Sequence, residues 1–463
     1  MLNKKTFQLW AWLLLILLFA FWLRHDAFWL PHWKGDQNHY AVLAMKLDKQ
    51  GLDGYNLREV SLGNMIISKD PPIELVFCRP SAAGDLGDIL RILKMVGQGY
   101  YDEPLHFRAP LFSWCLMWSH RLFAGNEPFY GACSSNLGEK VKKIKPDVIL
   151  KAQFWAAAVP IFFNLGVILM TFLIGWKFFS GRTGLWAAFL MASNPLSIFL
   201  AYKLLAEDVL TFFVCLSVFL LLLFYPKKNI AGIFLAGAAA GLAILAKQTA
   251  GILLAAAGIY VYFLGRPKKT FRAVEPLFLL YCAAAFLVSG FWFIKVYSVY
   301  GSPLHQPGSV SIGLKEDLTG WFHTVSHRPP PFIFFSLGVI WLSPLLAFAL
   351  AGLGRFIRQV SGKEKAGPET MLWLWILTFF FFITEPWHVL ELIADQEHRF
   401  FYMAYPAIAV LAAAVLDSIG ARWSGKLKNS RIPVVVITAA LLLNACWGIP
   451  QALKVIYENN MLF

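Results

Sequence analysis

The stretch KKNIAGIFLAGAAAGLAILAKQTAGILLAAAGIYVYFLGRPKK (227–269) decides the fold. It contains two apolar runs, 231–246 and 249–265, with basic residues at the two far ends and Lys247 as the one charged residue between the runs. An apolar helix of about 20 residues crosses a bilayer, and Lys and Arg accumulate on its cytoplasmic side. The stretch therefore predicts two transmembrane helices whose basic ends face the cytoplasm and whose connecting turn faces outward.

The same pattern repeats along the chain, which is therefore predicted to be an all-α polytopic membrane protein with about eleven transmembrane helices. The first run follows Lys4 and Lys5 and has no small-residue cleavage site, so we expect a retained anchor with its N-terminus in the cytoplasm. The predicted spans lie near 7–30, 152–176, 184–202, 208–225, 231–246, 249–265, 273–297, 332–354, 370–388, 400–419 and 432–450.

The distribution of charge supports this topology. The chain has 463 residues, of which 58% are hydrophobic and 15% charged, with a net charge of +14. In a soluble protein this charge would suggest a nucleic-acid partner. Here the basic residues lie in the turns between apolar runs, mostly in those predicted to be cytoplasmic, so the expected partner is the lipid bilayer and not nucleic acid. The short outer turns carry only Lys203, Lys247, Lys315, Arg328 and Arg399.

The predicted topology divides the chain into membrane and extracytoplasmic parts. The first span (1–30) precedes a long extracytoplasmic loop, and a shorter loop and a tail are also predicted outside. In order, the parts after the first span are the loop 31–151, spans two to seven in 152–298, the loop 299–331, spans eight to eleven in 332–450, and the tail 451–463.

The long loop is predicted to contain structure of its own. Apolar residues at helical spacing, from Tyr40 to Leu47, predict an amphipathic interfacial helix over about 36–50. A second apolar stretch, about 110–124, starts with Pro and is too short to span a bilayer. The segments NMIIS and IELVFC between them resemble short strands, which indicates a small mixed subdomain.

Several segments, in this order, resemble the glycosyltransferase C superfamily, which includes protein O-mannosyltransferases and lipid A aminoarabinose transferases. The similarity begins with an acidic residue just after the first span, followed by Tyr and a helix ending in Gly (GDQNHYAVLAMKLDKQG, 35–51). The other segments are HFRAPLFSW (106–114), LFAGNEPF (122–129), LMASNPLSIFLAYKLLAEDVLTFF (190–213), AGLAILAKQTAGILL (240–254), FWFIKVYSVYGSPL (291–304), HRPPPFIFFSLGVIWLSPLL (327–346) and HRFFYMAYP (398–406).

The resemblance implies an inverting transferase that moves a sugar from a polyprenyl-phosphate donor to an acceptor hydroxyl on a lipid, a glycan or a protein. The family works at the extracytoplasmic face, which for a bacterial protein is the outer side of the inner (plasma) membrane. Relatives of this type need neither a cofactor nor a metal, and we expect none here. Where many relatives have Asp-Glu at the first acidic site, this chain has Asp36 and Gln37.

Asp36 is the candidate general base, because a carboxylate within hydrogen-bond reach can take the proton of the acceptor hydroxyl in the transition state. The alternative is an N-cap, since Gly-Asp before an amphipathic run is a normal helix start. Tyr40, one turn later, is either an interfacial aromatic residue or part of the pocket.

Three cations are candidates for binding the donor phosphate, whose negative charge grows as the glycosidic bond breaks. Arg108 occupies the family's basic position before Pro-Leu, and its planar guanidinium suits a phosphate; contact with lipid headgroups is the alternative. Lys247 either meets the phosphate or extends to the headgroups. Arg399 pairs either with the phosphate or with Glu397.

Lys203, Glu207 and Asp208 lie in one short outer turn, where charge next to hydrocarbon is costly unless it faces a wet cavity or another charge. The spacing does not decide which of the two carboxylates takes the family's acidic position. A Lys203–Glu207 salt bridge at i,i+4 spacing is the alternative to a functional role.

The remaining candidates are weaker. His323 and His327 have a zinc-compatible spacing, but no carboxylate pattern completes a site, so His327 is assigned to the acceptor entrance. Cys78 and Cys133 are the favoured disulfide pair on the outer side.

Two other functional classes fit parts of the pattern. A transporter or flippase for a lipid-linked sugar would share a basic outer cavity, but it should show repeated halves with broken helices. A non-catalytic assembly subunit would not need Asp36.

Overall fold

A computed structural model describes the chain over most of its apolar helices and part of the first long loop. The described ranges are 4–28, 40–48 (without 42 and 45), 51–55, 60–62, 65–68, 74–77, 108–123, 146–265, 275–301, 343–383, 401–426 and 432–461.

In these ranges the membrane part is entirely α-helical or 3₁₀-helical. The α-helices are α1 Lys4–Trp22, α2 Leu111–Phe123, α3 Pro146–Phe178, α4 Gly181–Ala192, α5 Pro195–Ala201, α6 Glu207–Phe224, α7 Ile230–Ala246, α8 Ile252–Gly265, α9 Pro276–Tyr300, α10 Leu353–Val360, α11 Pro368–Ile383, α12 Tyr405–Lys426 and α13 Ile432–Met461. The 3₁₀ turns are His25–Phe28, Gly51–Gly54, Gln248–Gly251, Pro344–Gly352 and Tyr402–Ala404.

Within the described ranges, six helices are long and apolar enough to cross a membrane, and a seventh is obtained if one bent pair counts as a single span. The chain is an integral membrane protein. The six are Phe154–Phe178, Glu207–Phe224, Gln248–Gly265, Pro276–Val299, Phe401–Gly425 and Ile432–Lys454. The apolar helices Thr6–Trp22 and Ile230–Ala246 are shorter. The full set of eleven spans stays a prediction.

The third predicted span, 184–202, is wrong as a continuous helix. It breaks into α4 and α5, which are bent by 58°. The side chain of Asn194 accepts a hydrogen bond from the backbone N–H of Ser197 at 3.0 Å, and Pro195 occupies the first turn of α5. A capping Asn followed by Pro is a strong helix-start signal, so the chain ends one helix and begins another inside the apolar run.

Small residues bring α7 and α9 into close contact, as the sequence predicts. A Cβ added to Gly237 would lie 2.2 Å from the carbonyl oxygen of Tyr281, and one added to Gly241 would lie 2.6 Å from that of Ala285. No side chain fits at those distances. Glycine at both positions therefore lets the two backbones pack directly, as in other membrane helix pairs.

Helix α3 is the centre of the described bundle, where it contacts α1, α2, α4, α6 and α12. Helix α7 packs between α6 and α9. Helix α2 contacts both α3 and α7, so the loop that carries it lies over the predicted outer end of the bundle. This arrangement brings loop residues near the turn that contains Lys247.

The first loop is helical at its described residues between 40 and 48. Tyr40, Leu43, Ala44 and Leu47 are buried in the protein core, and the Tyr40 ring meets Phe112 edge-on at 4.9 Å. The apolar face that was predicted to lie in the membrane interface is therefore covered by α2, because α2 offers it a matching apolar face.

Three short strands form an antiparallel sheet in the same loop. They are β1 Val60–Leu62, β2 Met65–Ser68 and β3 Glu74–Phe77, in the order β1-β2-β3. Val60 pairs with Ile67, and Met65 pairs with Phe77. Strands β2 and β3 lie inside the segments NMIIS and IELVFC.

Candidate functional site

Arg24 is completely buried at the predicted outer end of the bundle, just after α1. Its Nε donates to Oδ1 of Asn164 at 2.7 Å, and its Nη2 donates to Oγ of Ser197 at 3.0 Å. Its Nη1 donates to the backbone carbonyls of Ala20 at 2.9 Å and Ala192 at 3.0 Å. One guanidinium thus ties α1 to α3, to the end of α4 and to α5.

Asn164 connects this arginine to a carboxylate. Because its Oδ1 accepts from Arg24, the orientation of its amide is fixed, and Nδ2 points to Oδ1 of Asp208 at 2.7 Å. The same Nδ2 lies 2.9 Å from the hydroxyl of Tyr402. Asp208 and Tyr402 are buried as well. These side chains and Ser197 form a closed polar network, which we call the Arg24 network.

The Arg24 network is suited to holding helices together and not to chemistry on a substrate. Its charged members are at most 1% exposed, and their hydrogen bonds go to one another or to backbone carbonyls. Buried charges are tolerated only where they are paired and hydrogen-bonded. Asp208, one of the two carboxylates in the outer turn, is thereby fixed in the protein interior.

Glu207, the other carboxylate of that turn, faces a different partner. Its Oε1 accepts a hydrogen bond from Nζ of Lys247 at 3.0 Å. The Glu207 side chain is 4% exposed, whereas that of Lys247 is 22% exposed. The pair joins the N-terminus of α6 to the C-terminal cap of α7, and its lysine remains accessible from outside.

Lys203 lies in the same turn with its ammonium 4.9 Å from the centre of the Phe199 ring. The ion pair that the structure shows for Glu207 is the one with Lys247, not the predicted i,i+4 alternative with Lys203. All four charged candidates of the outer turns, Lys203, Glu207, Asp208 and Lys247, are described and lie at one end of the bundle.

Arg108 and Tyr40, two further candidates, meet in the loop. The Arg108 guanidinium lies over the Tyr40 ring, 5.3 Å from its centre, which is cation–π geometry. The hydroxyl of Tyr55 donates to the Arg108 carbonyl at 2.9 Å. Burial raises the pKa of this Tyr55 hydroxyl, so it stays protonated and able to donate. The loop thus fixes Arg108 from its backbone and its side chain.

The candidate base Asp36 lies outside the described residues. The same holds for His327, Arg399 and the predicted disulfide pair Cys78 and Cys133. In the described part of the chain, no group of three or more His, Cys, Asp or Glu side chains could hold a metal ion.

Comparison with known proteins bears on the 190–254 region in particular. Residues 121–268 match the family described as Dolichyl-phosphate-mannose-protein mannosyltransferase (PMT). The resemblance to the glycosyltransferase C superfamily is confirmed. The PMT match contains Lys203, Glu207, Asp208 and Lys247. An uncharacterised protein from Aquifex aeolicus is 26% identical over 304 residues, which are 64% of this chain. The chain spans about half (54%) of that relative's length.

Solved structures share the fold of this PMT-like chain. ArnT from Cupriavidus metallidurans in the apo state aligns over 93% of this chain and 63% of its own, at 14% identity and a TM-score of 0.53. A second structure of that protein is bound to undecaprenyl phosphate. The oligosaccharyltransferase AglB from Archaeoglobus fulgidus, in complex with an inhibitory peptide and a dolichol-phosphate, aligns over 97% of this chain and 56% of its own, at 14% identity and a TM-score of 0.52.

Sequence reasoning missed the residues that hold the site in place. Arg24, Asn164 and Tyr402 were read as parts of apolar spans and not as candidates. A usable signal existed, because a strongly polar side chain inside a predicted span faces the bundle interior and a partner. Arg24 in 7–30 and Asn164 in 152–176 meet that criterion.

Proposed function

We propose that this protein is a membrane glycosyltransferase that moves a sugar from a polyprenyl-phosphate donor to an acceptor hydroxyl at the extracytoplasmic face. The acceptor belongs to a lipid, a glycan or a protein. The PMT match and the ArnT-like fold support the donor class, and the ligand of one ArnT structure is a polyprenyl phosphate.

The observation that carries the proposal is the Glu207–Lys247 pair. A carboxylate at the end of a membrane helix is costly to bury, and here it is compensated by a lysine that remains partly exposed. Such a lysine can turn from Glu207 to an incoming phosphate and so stabilise the charge of the leaving group. Lys247 therefore serves as the phosphate-binding cation and Glu207 as the residue that positions it.

Asp208 has a different proposed role. Because it accepts from Asn164 within the Arg24 network, it fixes the start of α6 and with it the position of Glu207. Glu207 is then the residue that matches the family's acidic position. Asp36 remains the proposed general base, with its acceptor proton as the group that it removes.

The loop supplies the second proposed phosphate ligand. Stacking on Tyr40 leaves the edge of the Arg108 guanidinium free to donate two parallel hydrogen bonds to phosphate oxygens. Arg399, His327 and Lys203 are proposed to line the same outer cavity, Arg399 toward the donor and His327 toward the acceptor.

A transporter is the alternative that one observation favours. The bent pair α4–α5 resembles the discontinuous helices that transporters use at their binding sites. A transporter needs a corresponding break in its other half, and in the described residues one such bent pair is found. A transferase leaves a glycosylated product, whereas a transporter only relocates its substrate.

A complementation experiment tests the transferase directly. Glycolipids and glycoproteins from cells lacking the gene, and from the same cells carrying the wild-type gene, are compared by mass spectrometry. We expect one sugar-bearing product to vanish with the gene and to return with the wild type. The charge-reversed double variant Glu207→Lys/Lys247→Glu is expected to preserve the ion pair and protein level but not the product. Restoration of the product by the double variant would reduce the pair to a structural bridge.

Arg108→Ala is expected to weaken binding of the polyprenyl-phosphate donor about tenfold or more, since it removes a charge-assisted hydrogen-bond donor. The measurement is the KM for the donor in proteoliposomes, together with relative rates on different acceptors. Acceptor preference should not change.

Arg121→Ala is the matched control for Arg108→Ala. Arg121 lies in the same loop, 5.0 Å from the centre of the Trp118 ring, and pairs with Asp48 at 2.7 Å. It has the same cation–π geometry but no proposed role in catalysis. An equal change in donor KM for both variants would assign the Arg108 effect to loop stability.

A further inference from the structure

A cavity of about 700 Å³ lies at the predicted inner end of the bundle, opposite to the proposed transfer site. It is enclosed by the start of α1, the turn between α3 and α4, and the end of α12. Leu9 and Leu185 contribute apolar walls, Trp12 and Trp176 contribute aromatic rings, and Asp417 contributes a carboxylate. This volume is typical of a site for a small organic ligand or part of a lipid.

The two oxygens of the Asp417 carboxylate are in different situations. Oδ2 accepts hydrogen bonds from the hydroxyls of Ser180 at 2.5 Å and Thr183 at 3.2 Å. Oδ1 lies 4.0 Å from Nη1 of Arg182, which is beyond hydrogen-bond distance. One oxygen is therefore saturated, and the other has room for a hydrogen-bond donor from a ligand.

Cationic character lies directly beside this oxygen. The Arg182 side chain is 59% exposed and can turn into the cavity. Helix α4 begins at Gly181 on the cavity wall, and its N-terminal N–H groups favour an anion there. A ligand with a phosphate and an ammonium a few ångströms apart matches both charges, whereas a purely anionic ligand would meet Asp417.

The surroundings indicate a ligand that belongs to a membrane. Trp rings are enriched at the headgroup level of a bilayer, and Trp12 and Trp176 both line the cavity. Leu9 and Leu185 provide an apolar surface that could contact the first carbons of an acyl chain. The cavity thus combines a polar charged part with an apolar part.

We propose that this cavity binds the headgroup of a zwitterionic phosphoethanolamine lipid from the inner leaflet. Its primary ammonium donates to Oδ1 of Asp417, and its phosphate accepts from Arg182 and the first turn of α4. The site is separate from the sugar-transfer site and does not depend on the proposed function.

Native mass spectrometry of the detergent-solubilised full chain tests this site. Phosphatidylethanolamine, phosphatidylcholine and phosphatidylglycerol with the same acyl chains are added in turn, and the fraction of protein that retains a lipid is measured. We expect at least fivefold greater retention of phosphatidylethanolamine, because the methylated ammonium of choline has no N–H to donate and glycerol has no charge. Equal retention of all three lipids would overturn the proposal.

Two variants locate the binding. Asp417→Asn and Arg182→Gln are each expected to remove the preference for phosphatidylethanolamine. Since Arg182 is largely exposed, its replacement should leave the thermal unfolding temperature unchanged, which keeps the test valid if Asp417→Asn unfolds. Glu364→Gln is the control, because Glu364 is exposed and paired with Arg358 at 2.6 Å away from the cavity. Unchanged lipid preference in Arg182→Gln, or equal competition by soluble phosphoethanolamine, would contradict a lipid site.

Discussion

Asp36→Asn is expected to abolish sugar transfer, lowering kcat by at least about 100-fold, the usual lower range for loss of a general base. The amide of Asn cannot take the proton of the acceptor hydroxyl, so the nucleophile stays protonated in the transition state. Donor binding should change little, because the proposed phosphate ligands, among them Lys247 and Arg108, are untouched. The measurement is single-turnover transfer in proteoliposomes, with donor affinity determined separately.

Asn is the informative replacement because it separates the two interpretations of Asp36. Asn is as good an N-cap as Asp, so a residue that only starts the loop helix would tolerate the change. Asp36→Ala removes both the cap and the base. If Asp36 is only a cap, Asp36→Ala should lower stability by about 1 kcal/mol and Asp36→Asn should have wild-type activity.

The matched control for Asp36→Asn is Asp26→Asn. Asp26 lies ten residues earlier, is 40% exposed and pairs with His25 at 3.1 Å. Its replacement removes one carboxylate from the same part of the chain without touching the proposed site. Wild-type turnover by Asp36→Asn, or an equal loss in Asp26→Asn, would reject Asp36 as the base.

The positions of the helices were predictable because hydrophobicity alone determines them. Apolar runs long enough to cross a bilayer must become helices, since no water is present to bond an open backbone. Most predicted spans therefore coincide with observed helices. The exception, 184–202, contains a local signal of two residues, Asn194 and Pro195, which an average over the whole run conceals.

The site was predictable only in part, because charge in an outer turn shows where polar residues gather but not how they pair. Glu207 and Asp208 are adjacent in sequence, so the sequence offered no reason to separate them. Their side chains leave α6 in different directions, which gives one carboxylate to Lys247 and the other to Asn164. Such pairings depend on contacts between distant helices, which a single sequence does not contain.

Arg24→Leu is expected to destabilise the protein by about 3–5 kcal/mol, the range for removing one partner from a buried charged network. The change deprives Asn164, Ser197 and two backbone carbonyls of their donor. It also leaves the Asp208 carboxylate buried without the nearby guanidinium. The measurement is the thermal unfolding temperature in detergent, followed by intrinsic tryptophan fluorescence.

The same substitution at Arg121 separates burial from the loss of an arginine. Arg121 is 45% exposed and its pair with Asp48 is a surface salt bridge, so Arg121→Leu should cost at most about 1 kcal/mol. In addition, the double variant Arg24→Leu/Asp208→Leu should be less destabilised than the sum of its single changes, because it removes the uncompensated carboxylate together with its cation. If Arg24→Leu unfolded at the same temperature as Arg121→Leu, or if the double variant were simply additive, the Arg24 network would not be what holds α1, α3 and α6 together.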